Sequence, residues 1–300
     1  MSPSKLTILI TGCSPGGMGA ALAIAFHRSG HHVYATARNP TKLLPLQEQG
    51  IQTSALDVTS TSSIASAVSA VTASLPKGSN GLDMLINNAA GSYTMPIADA
   101  SIDKAKELFD VNVWAQIAVT QAFIPLLLKS NQPMIVNHTS VGSKAALPFQ
   151  GIYNASKAAL AMLSETLHLE LSPFGVRVVD LKTAGVKTNI ISNNNVNTNA
   201  DRLPEGSIYA PAREVVEKAM SQEGLMDKGI TAEQWADEVA TLLLGKNPPA
   251  VIWRGESATL ARMAVAMPCG GLFEGFIKKM TKLDVVEEII KESRREVASL

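Results

Sequence analysis

The sequence predicts an α/β protein built on one doubly wound, mostly parallel sheet of about seven strands. Apolar runs of strand length alternate with longer segments of helical periodicity for roughly the first 250 residues. The predicted strands are apolar along most of their length, as expected for parallel strands that helices cover on both faces. The first strand runs directly into a glycine-rich loop, and a helical segment follows that loop.

The strands follow from local composition and from the turns that bound them. The first run is rich in β-branched residues and is closed by Gly12, and the third is short and more polar. In chain order the predicted strands are Leu6–Ile10, Val33–Ala37, Gln52–Leu56, Leu82–Ile86, Met134–Asn137, Val176–Leu181 and Ala250–Trp253.

The segments between these strands carry apolar residues at helical spacing. The uncharged run from Val111 to Leu128 is long enough to consider as a membrane span. However, polar residues and Pro125 interrupt it, and polar groups are costly in hydrocarbon, so a buried helix of a globular protein explains it better. The predicted helices are Met18–Arg28, Ser60–Ser74, about Ser101–Leu128 and about Asn154–Leu171.

Two regions depart from the alternation. Residues 193–199 (NNNVNTN) are polar and turn-forming, and they open a segment, about 190–230, that we expect to form a flap. Residues 256–300 contain no further predicted strand. We therefore predict one domain over residues 1–255, followed by a C-terminal extension at 256–300 that is not an independent domain.

Composition argues against several classes of function. The chain has 26 basic and 26 acidic residues, so no net field would attract nucleic acid or an anionic membrane. Its two cysteines, Cys13 and Cys269, are too few and too far apart for a disulfide framework or a zinc site, and we predict no metal. The short apolar run near the N-terminus leaves no room for the core of a signal peptide. We therefore expect a reducing, cytoplasmic location.

The glycine-rich loop indicates a phosphate site. A tight turn would use similar residues, but this loop lies between the first strand and the first helix. There, glycines let backbone N–H groups approach a pyrophosphate, which the helix N-terminus stabilises. The sequence therefore favours a Rossmann-type dinucleotide site. The predicted cofactor contacts in the loop are Gly12, Gly17, Met18 and Gly19.

The end of the second strand favours NADP(H) over NAD(H). In dinucleotide folds an acid at this position accepts a hydrogen bond from the ribose 2′-hydroxyl. Here the strand contains no acid and ends in Arg38, whose guanidinium can hold a 2′-phosphate. A solvent-exposed arginine after a strand is the alternative.

Tyr153, Lys157 and Ser140 form a candidate catalytic group. Tyr153 and Lys157 are four residues apart at the start of a predicted helix and therefore share one of its faces. A nearby ammonium lowers the pKa of a phenol, which makes proton transfer near neutral pH feasible. Ser140 ends a strand thirteen residues earlier, and its hydroxyl could donate to a substrate carbonyl.

These motifs resemble the short-chain dehydrogenase/reductase family over residues 5 to about 190 and, more loosely, 231–253. Residues 153–157 (YNASK) match the family's YxASK element, and residues 87–91 (NNAAG) match its NNAG element. The resemblance implies a catalytic set of Asn112, Ser140, Tyr153 and Lys157, with Tyr153 and Lys157 also touching the cofactor. It further implies cofactor contacts from Asp57, Val58, Asn88, Val186 and Thr188.

Three positions depart from the family pattern. The glycine loop has one residue more than TGxxxGxG, which leaves Gly16 without an assigned role. Thr183-Ala184 replaces a Pro-Gly pair after the sixth strand. His138 occupies the serine strand where small or apolar residues are usual, and we interpret it as a packed residue rather than a catalytic one.

The resemblance implies hydride transfer to a carbonyl carbon while Tyr153 protonates the developing alkoxide. Ser140 would stabilise the oxyanion, Lys157 would lower the tyrosine pKa, and Asn112 would position a water molecule. The segments around the glycine loop and Tyr153 are most similar to a branch that includes acyl-dihydroxyacetone-phosphate reductases and other lipid, retinoid, steroid or polyketide reductases. We therefore expect a bulky hydrophobic ketone or aldehyde as substrate.

Two other classes remain as alternatives. A non-catalytic NADP-binding regulatory or scaffold protein would have no need of the complete catalytic set. An epimerase would usually carry an extended sugar-nucleotide domain, for which this chain has too little sequence.

Assembly and membrane contact are further expectations. The two longest helices carry more apolar surface than one sheet face requires, and in this family such helices commonly pair into a homo-oligomer. The residues concerned are Val113, Ala118, Phe123, Ala159, Leu163 and Leu167. The apolar stretch 260–268 and the residues after it could pack on the domain or on a second subunit, cover the substrate pocket as a lid, or touch the endoplasmic reticulum or another lipid surface.

Overall fold

The computed structural model describes residues 5–188, 202–222, 229–266 and 270–298. The predicted loop at 193–199 and Cys269 lie outside these residues. Within them the predicted fold class is confirmed: seven parallel strands form one sheet in the order β3-β2-β1-β4-β5-β6-β9. The strands are β1 Thr7–Ile10, β2 His32–Ala37, β3 Gln52–Ala55, β4 Met84–Asn87, β5 Met134–His138, β6 Arg177–Thr183, β7 Val186–Lys187, β8 Ile230–Thr231 and β9 Val251–Arg254.

Helices cover both faces of the sheet, as the apolar strands require. One face packs against the first and eighth helices, and the other packs against the third, fifth and sixth. The helices are α1 Met18–Arg28, α2 Leu44–Gln47, α3 Thr61–Ala73, α4 Ile102–Phe109, α5 Ala115–Leu127, α6 Gly151–Leu171, α7 Arg213–Ser221, α8 Ala232–Leu243, α9 Ala258–Ala266, α10 Gly270–Met280 and α11 Leu283–Ala298.

The strand order positions the functional site. From β1 the chain builds outward in one direction through β2 and β3, and then returns to build in the other direction from β4. Ligands of doubly wound sheets bind at the carboxyl ends of the strands where the order reverses. The loops after β1, β4, β5 and β6 meet at this edge.

The predicted helix over about Ser101–Leu128 is interrupted by a wider turn. The segment Asp110–Trp114 is π-helical and joins α4 to α5. It buries Asn112 completely, and Gln116 donates from Nε2 to the Val111 carbonyl at 2.8 Å. Single π turns inside α-helices often mark functional sites.

The region between β6 and α8 contains structure that the sequence did not predict. Strands β7 and β8 form a separate parallel pair that joins Val186 to Ile230. Part of the expected flap is helical, since α7 lies within it. This strand pair therefore joins the segments on either side of the expected flap, beside the carboxyl edge of the main sheet.

The C-terminal helix packs beside the candidate active site. On α11, Val286 is 1% exposed and belongs to an apolar cluster with Phe149 and Val216, and Tyr153 packs against the same cluster. Among the residues that the structure describes, no helix is long and apolar enough to cross a membrane.

The apolar surface differs from the prediction at two residues. Val113 and Phe123 are buried inside the chain and cannot contribute to an interface. The large apolar side chains that α6 and the end of the π turn do expose are Trp114, Met162 and Leu169.

Candidate active site

The glycine-rich loop is a tight turn followed by an uncapped helix. Ser14 to Gly17 form the turn, in which Gly17 N–H donates to the Ser14 carbonyl at 3.1 Å. Pro15 followed by Gly16 at φ 69° has the residue pattern of a type II turn. This turn accommodates the extra residue and gives Gly16 its role. Gly17 caps α1 without a side-chain hydrogen bond, so the N–H groups of the first helical turn remain available to an anion.

Two glycines permit close contact between this loop and the β4 loop. A Cβ at Gly12 would lie 2.7 Å from the Cα of Ala89, and one at Gly19 would lie 2.5 Å from Nδ2 of Asn88. Asn88 also donates from Nδ2 to the carbonyls of Thr11 and Gly12, at 2.8 and 3.0 Å. The predicted residues Gly12, Gly19 and Asn88 therefore pack together and join the glycine loop to the loop after β4.

The loops after β2 and β3 provide the nucleotide end of the cleft. Asp57 accepts hydrogen bonds from Thr59 Oγ1 at 2.7 Å and Thr59 N–H at 3.0 Å. These bonds, together with the Arg38 charge, lower the pKa of Asp57 against a smaller opposing effect of burial. Val58 and Arg38 line the same cleft. Lys42 lines it as well; sequence reasoning missed it, although its position four residues after Arg38 is a usable signal.

Ser140, Tyr153 and Lys157 converge at the carboxyl end of β5. Ser140 accepts at Oγ from Gly142 N–H at 3.1 Å, and its hydroxyl also hydrogen-bonds Tyr153. Lys157 Nζ lies 5.9 Å from the centroid of the Tyr153 ring. It donates to the His138 carbonyl at 2.9 Å. Because α6 begins at Gly151, three residues before the predicted start, both Tyr153 and Lys157 lie within the helix.

Burial controls the proton affinity of this group. It raises the pKa of Tyr153, and the Ser140 hydrogen bond opposes that effect. It lowers the pKa of Lys157 to about 8, and the Asp180 carboxylate opposes the lowering. The site therefore holds a protonated phenol at neutral pH beside an amine that titrates close to neutrality.

Asn112 connects the β4 loop to α6. Its Oδ1 accepts from Gly91 N–H at 2.8 Å. Its Nδ2 donates to the Gly91 carbonyl at 3.1 Å and to Ser156 Oγ at 3.0 Å. Both side-chain N–H donors are therefore used within the protein, and only acceptor groups of this residue remain for a water molecule.

His138 is a packed residue at the end of β5 that links the loop after β4 to the end of β6 and to α8. Its Nδ1 hydrogen-bonds Asn88 Oδ1 at 2.9 Å, and its Nε2 hydrogen-bonds Thr183 Oγ1 at 2.7 Å. The ring stacks on Trp235 at 5.2 Å. Burial, and secondarily Lys157, lower the pKa of His138 to about 3, so the ring is neutral and structural at physiological pH.

A single cleft of about 470 Å³ connects these features. It is lined at one end by Arg38, Lys42, Asp57 and Val58 and along its floor by Gly12, Gly17, Met18 and Asn88. Ser140, Tyr153, Lys157, Val186, Thr188 and Gln222 line the other end. The predicted residues Asn112 and Gly19 do not line the cleft and instead contact residues that do. An elongated anionic ligand with a phosphate centre fits the uncapped α1 terminus and the flanking basic residues.

The fold and this cleft define a dinucleotide-binding α/β protein. Comparison with known proteins gives the family: the sequence profile of short chain dehydrogenase matches residues 6–199. A short-chain dehydrogenase/reductase of Pestalotiopsis microspora is 50% identical over 97% of this chain and 99% of its own length. The chain therefore belongs to the short-chain dehydrogenase/reductase family.

Two further comparisons extend this result. The NADPH-dependent 1-acyldihydroxyacetone phosphate reductase of Schizosaccharomyces pombe is 37% identical, over 87% of this chain and 89% of its own length. Among solved structures, a short-chain dehydrogenase from Streptomyces avermitilis has a TM-score of 0.73 at 24% identity, covering 96% of this chain and 98% of its own. The structural likeness supports the fold.

Proposed function

We propose that the protein is an NADPH-dependent oxidoreductase that reduces a ketone or aldehyde of a bulky hydrophobic compound, with Tyr153 as the general acid. The observation that carries this proposal is the convergence of Ser140, Tyr153 and Lys157 at the end of a cleft that begins at the glycine loop and Arg38. A non-catalytic binding protein would have no use for a half-buried phenol paired with a buried amine.

The described residues fit a dinucleotide. Gly12, Gly17, Met18 and Gly19 would hold the pyrophosphate at the N-terminus of α1. Arg38, helped by Lys42, would bind the 2′-phosphate. Contacts to the adenine would come from Asp57 and Val58, and Asn88 would complete the floor. Val186 and Thr188 would hold the nicotinamide amide, and Tyr153 and Lys157 the ribose. When bound, NADPH supplies the hydride.

The proton chemistry follows from the side chains. Ser140 donates a hydrogen bond to the substrate carbonyl oxygen and stabilises charge as it develops there. Tyr153, which burial keeps protonated at neutral pH, transfers its proton to the alkoxide. Lys157 stabilises the resulting phenolate. Lys157 then passes a proton to the phenolate, which restores the Tyr153 hydroxyl, and acceptor groups of Asn112 would hold a water molecule that returns a proton from solvent to Lys157.

The substrate class rests on two kinds of support. A relative named for reducing an acyl-dihydroxyacetone phosphate is similar over most of the chain. Beside Tyr153 lies the apolar cluster that Phe149, Val216 and Val286 help to form. For a phosphate-bearing substrate the sequence offers Lys144, Lys187 and Arg202, and all three are exposed. We propose a cytoplasmic enzyme whose lipophilic substrate brings it near lipid surfaces.

The test is NADPH oxidation by the purified protein with a panel of lipophilic ketones and aldehydes of increasing size. We expect turnover that increases with apolar size and that is slower with NADH. Arg38→Asp should weaken NADPH binding by about tenfold or more, because a charge-assisted contact becomes a repulsion. Lys129→Ala, an exposed residue that does not line the cleft, is the control. NADPH binding without oxidation of any panel member would favour a scaffold role instead.

A further inference from the structure

Two charged side chains are buried together beneath the turn that carries Ser140. Asp180 and Lys182 are two residues apart on β6 and therefore point to the same face of the sheet. Each side chain is 2% exposed, and Lys182 Nζ lies 2.5 Å from Asp180 Oδ2. The mechanism above uses neither residue.

Stability alone does not account for this pair. Both groups lose their hydration on burial, so an ion pair is often no more stabilising than apolar residues of the same size. The preceding residue on this face of β6, Val178, is apolar and belongs to the core. The contacts of the pair are therefore the guide to its role.

Asp180 and Lys182 form hydrogen bonds to residues before and after Ser140 in its turn. Thr139, immediately before Ser140, donates from Oγ1 to Asp180. Lys182 donates from Nζ to Ser143 Oγ at 3.1 Å. Ser143 N–H in turn donates to the Ser140 carbonyl at 2.9 Å, so residues on both sides of Ser140 in the chain are hydrogen-bonded to β6.

The pair also contributes to the charge around Lys157. That ammonium is faced by Asp180 from β6, by the neutral His138 and its carbonyl from β5, and by Tyr153 on its own helix. Burial lowers the pKa of Lys157, and the Asp180 carboxylate opposes this effect. Lys182 neutralises part of the same carboxylate's charge.

We propose that Asp180 and Lys182 are positioning residues of the active site, which hold the Ser140 turn between them and set the charge that Lys157 experiences. This inference rests on the proposed function and extends it. It assigns the positioning of Ser140, and the charge near Lys157, to two residues outside the cleft. Its first test requires no substrate and therefore stands apart from the test of the function.

The first test is an NMR titration of Lys157 in the full-length protein, with lysine labelled with ¹³C at Cε. The Lys157 signal is identified by its loss in Lys157→Met. Asp180→Asn removes the opposite charge and should lower the titration midpoint of Lys157. Lys182→Met leaves the carboxylate uncompensated and should raise it. The two variants are predicted to shift the Lys157 midpoint in opposite directions, so either variant that folds is sufficient to test the proposal.

The control is Asp237→Asn, which removes the same charge from an exposed pair with Arg28 and should leave the midpoint unchanged. Midpoints equal to that of the wild type, or a shift of both variants in the same direction, would overturn the electrostatic part of the proposal.

The second test separates the hydrogen bonds that hold the Ser140 turn from the charge near Lys157. Ser143→Ala removes only the hydroxyl that Lys182 contacts, and kcat should fall by about tenfold because Ser140 loses its fixed position. The Lys157 midpoint and the affinity for NADPH should not change, and Ser143→Thr should restore kcat. Unchanged kcat in Ser143→Ala would overturn the positioning role. Absence of turnover by the wild type would instead contradict the proposed function.

Discussion

His138 and Thr183 illustrate how single residues that depart from the family pattern are accommodated. Each stands where a different residue type is usual, and in the structure they hydrogen-bond each other at 2.7 Å. His138 is also joined to Asn88, which braces the glycine loop. A hydrogen bond between the ends of β5 and β6 therefore restrains the Thr183 side chain at the position where the family pattern has a proline.

This arrangement predicts a specific dependence of stability on pH. Burial lowers the pKa of His138 from 6.5 to about 3, so the unfolded chain binds a proton to this imidazole at pH values where the folded chain does not. Its contribution is fully present above the unfolded value and is lost as the pH falls from 6.5 towards 3. The free energy of unfolding should decrease by up to about 1.4 kcal/mol per pH unit in this window.

Denaturant unfolding at several pH values measures this slope. His138→Phe keeps an aromatic ring on Trp235 but cannot titrate, and should give a shallower slope. His27→Gln, at a histidine that does not line the cleft, should keep the wild-type slope. Equal slopes in the wild type and His138→Phe would contradict this assignment.

At the scale of elements, the sequence predicted those parts that depend on local pattern. All seven strands of the main sheet, the strand–loop–helix unit at Gly12 and the helix carrying Tyr153 follow from periodicity and turn residues. The type II turn at Pro15-Gly16 was readable in principle. The family pattern has one residue fewer in this loop and therefore assigns no position to Gly16.

Other elements depend on contacts between distant residues. The π turn at Asn112 is accompanied by hydrogen bonds to Gly91 and Ser156, and no periodicity in the sequence reports these partners. Strands β7 and β8 contain two residues each, too few for a pattern, and they pair across more than forty positions. Likewise, Lys42 reaches the cleft only because the chain turns after β2.

We propose that α11 holds the substrate side of the cleft in place. Val286→Asp places a charge in the apolar cluster beside Tyr153 and should detach this helix. NADPH affinity should change little, whereas KM for bulky substrates should rise by about tenfold and that for small ones much less. Steady-state kinetics with a graded ketone series measures both.

Glu288→Gln, on the exposed face of the same helix, is the matched control. A uniform change in KM across the series would show that α11 serves packing alone. Flotation with liposomes tests the membrane alternative for the C-terminal extension independently.

At the scale of the whole molecule, exposed apolar side chains predict self-association. Trp114, Met162 and Leu169 are 57%, 60% and 71% exposed, and the last two are seven residues apart on one face of α6. Such side chains are usually covered by a partner. We expect a homo-oligomer at micromolar concentration by light scattering, and a shift towards monomer in Met162→Glu/Leu169→Glu. A monomeric wild type would contradict this expectation.

The central claim is that Tyr153 donates the proton during carbonyl reduction, and Tyr153→Phe tests it most directly. The substitution keeps the ring and removes the hydroxyl, so NADPH should still bind and the protein should unfold at a similar temperature. Single-turnover oxidation of bound NADPH by a substrate from the panel should slow by about 10²–10⁴-fold. A Tyr153→Phe protein that retains more than about a tenth of the wild-type rate would contradict the account.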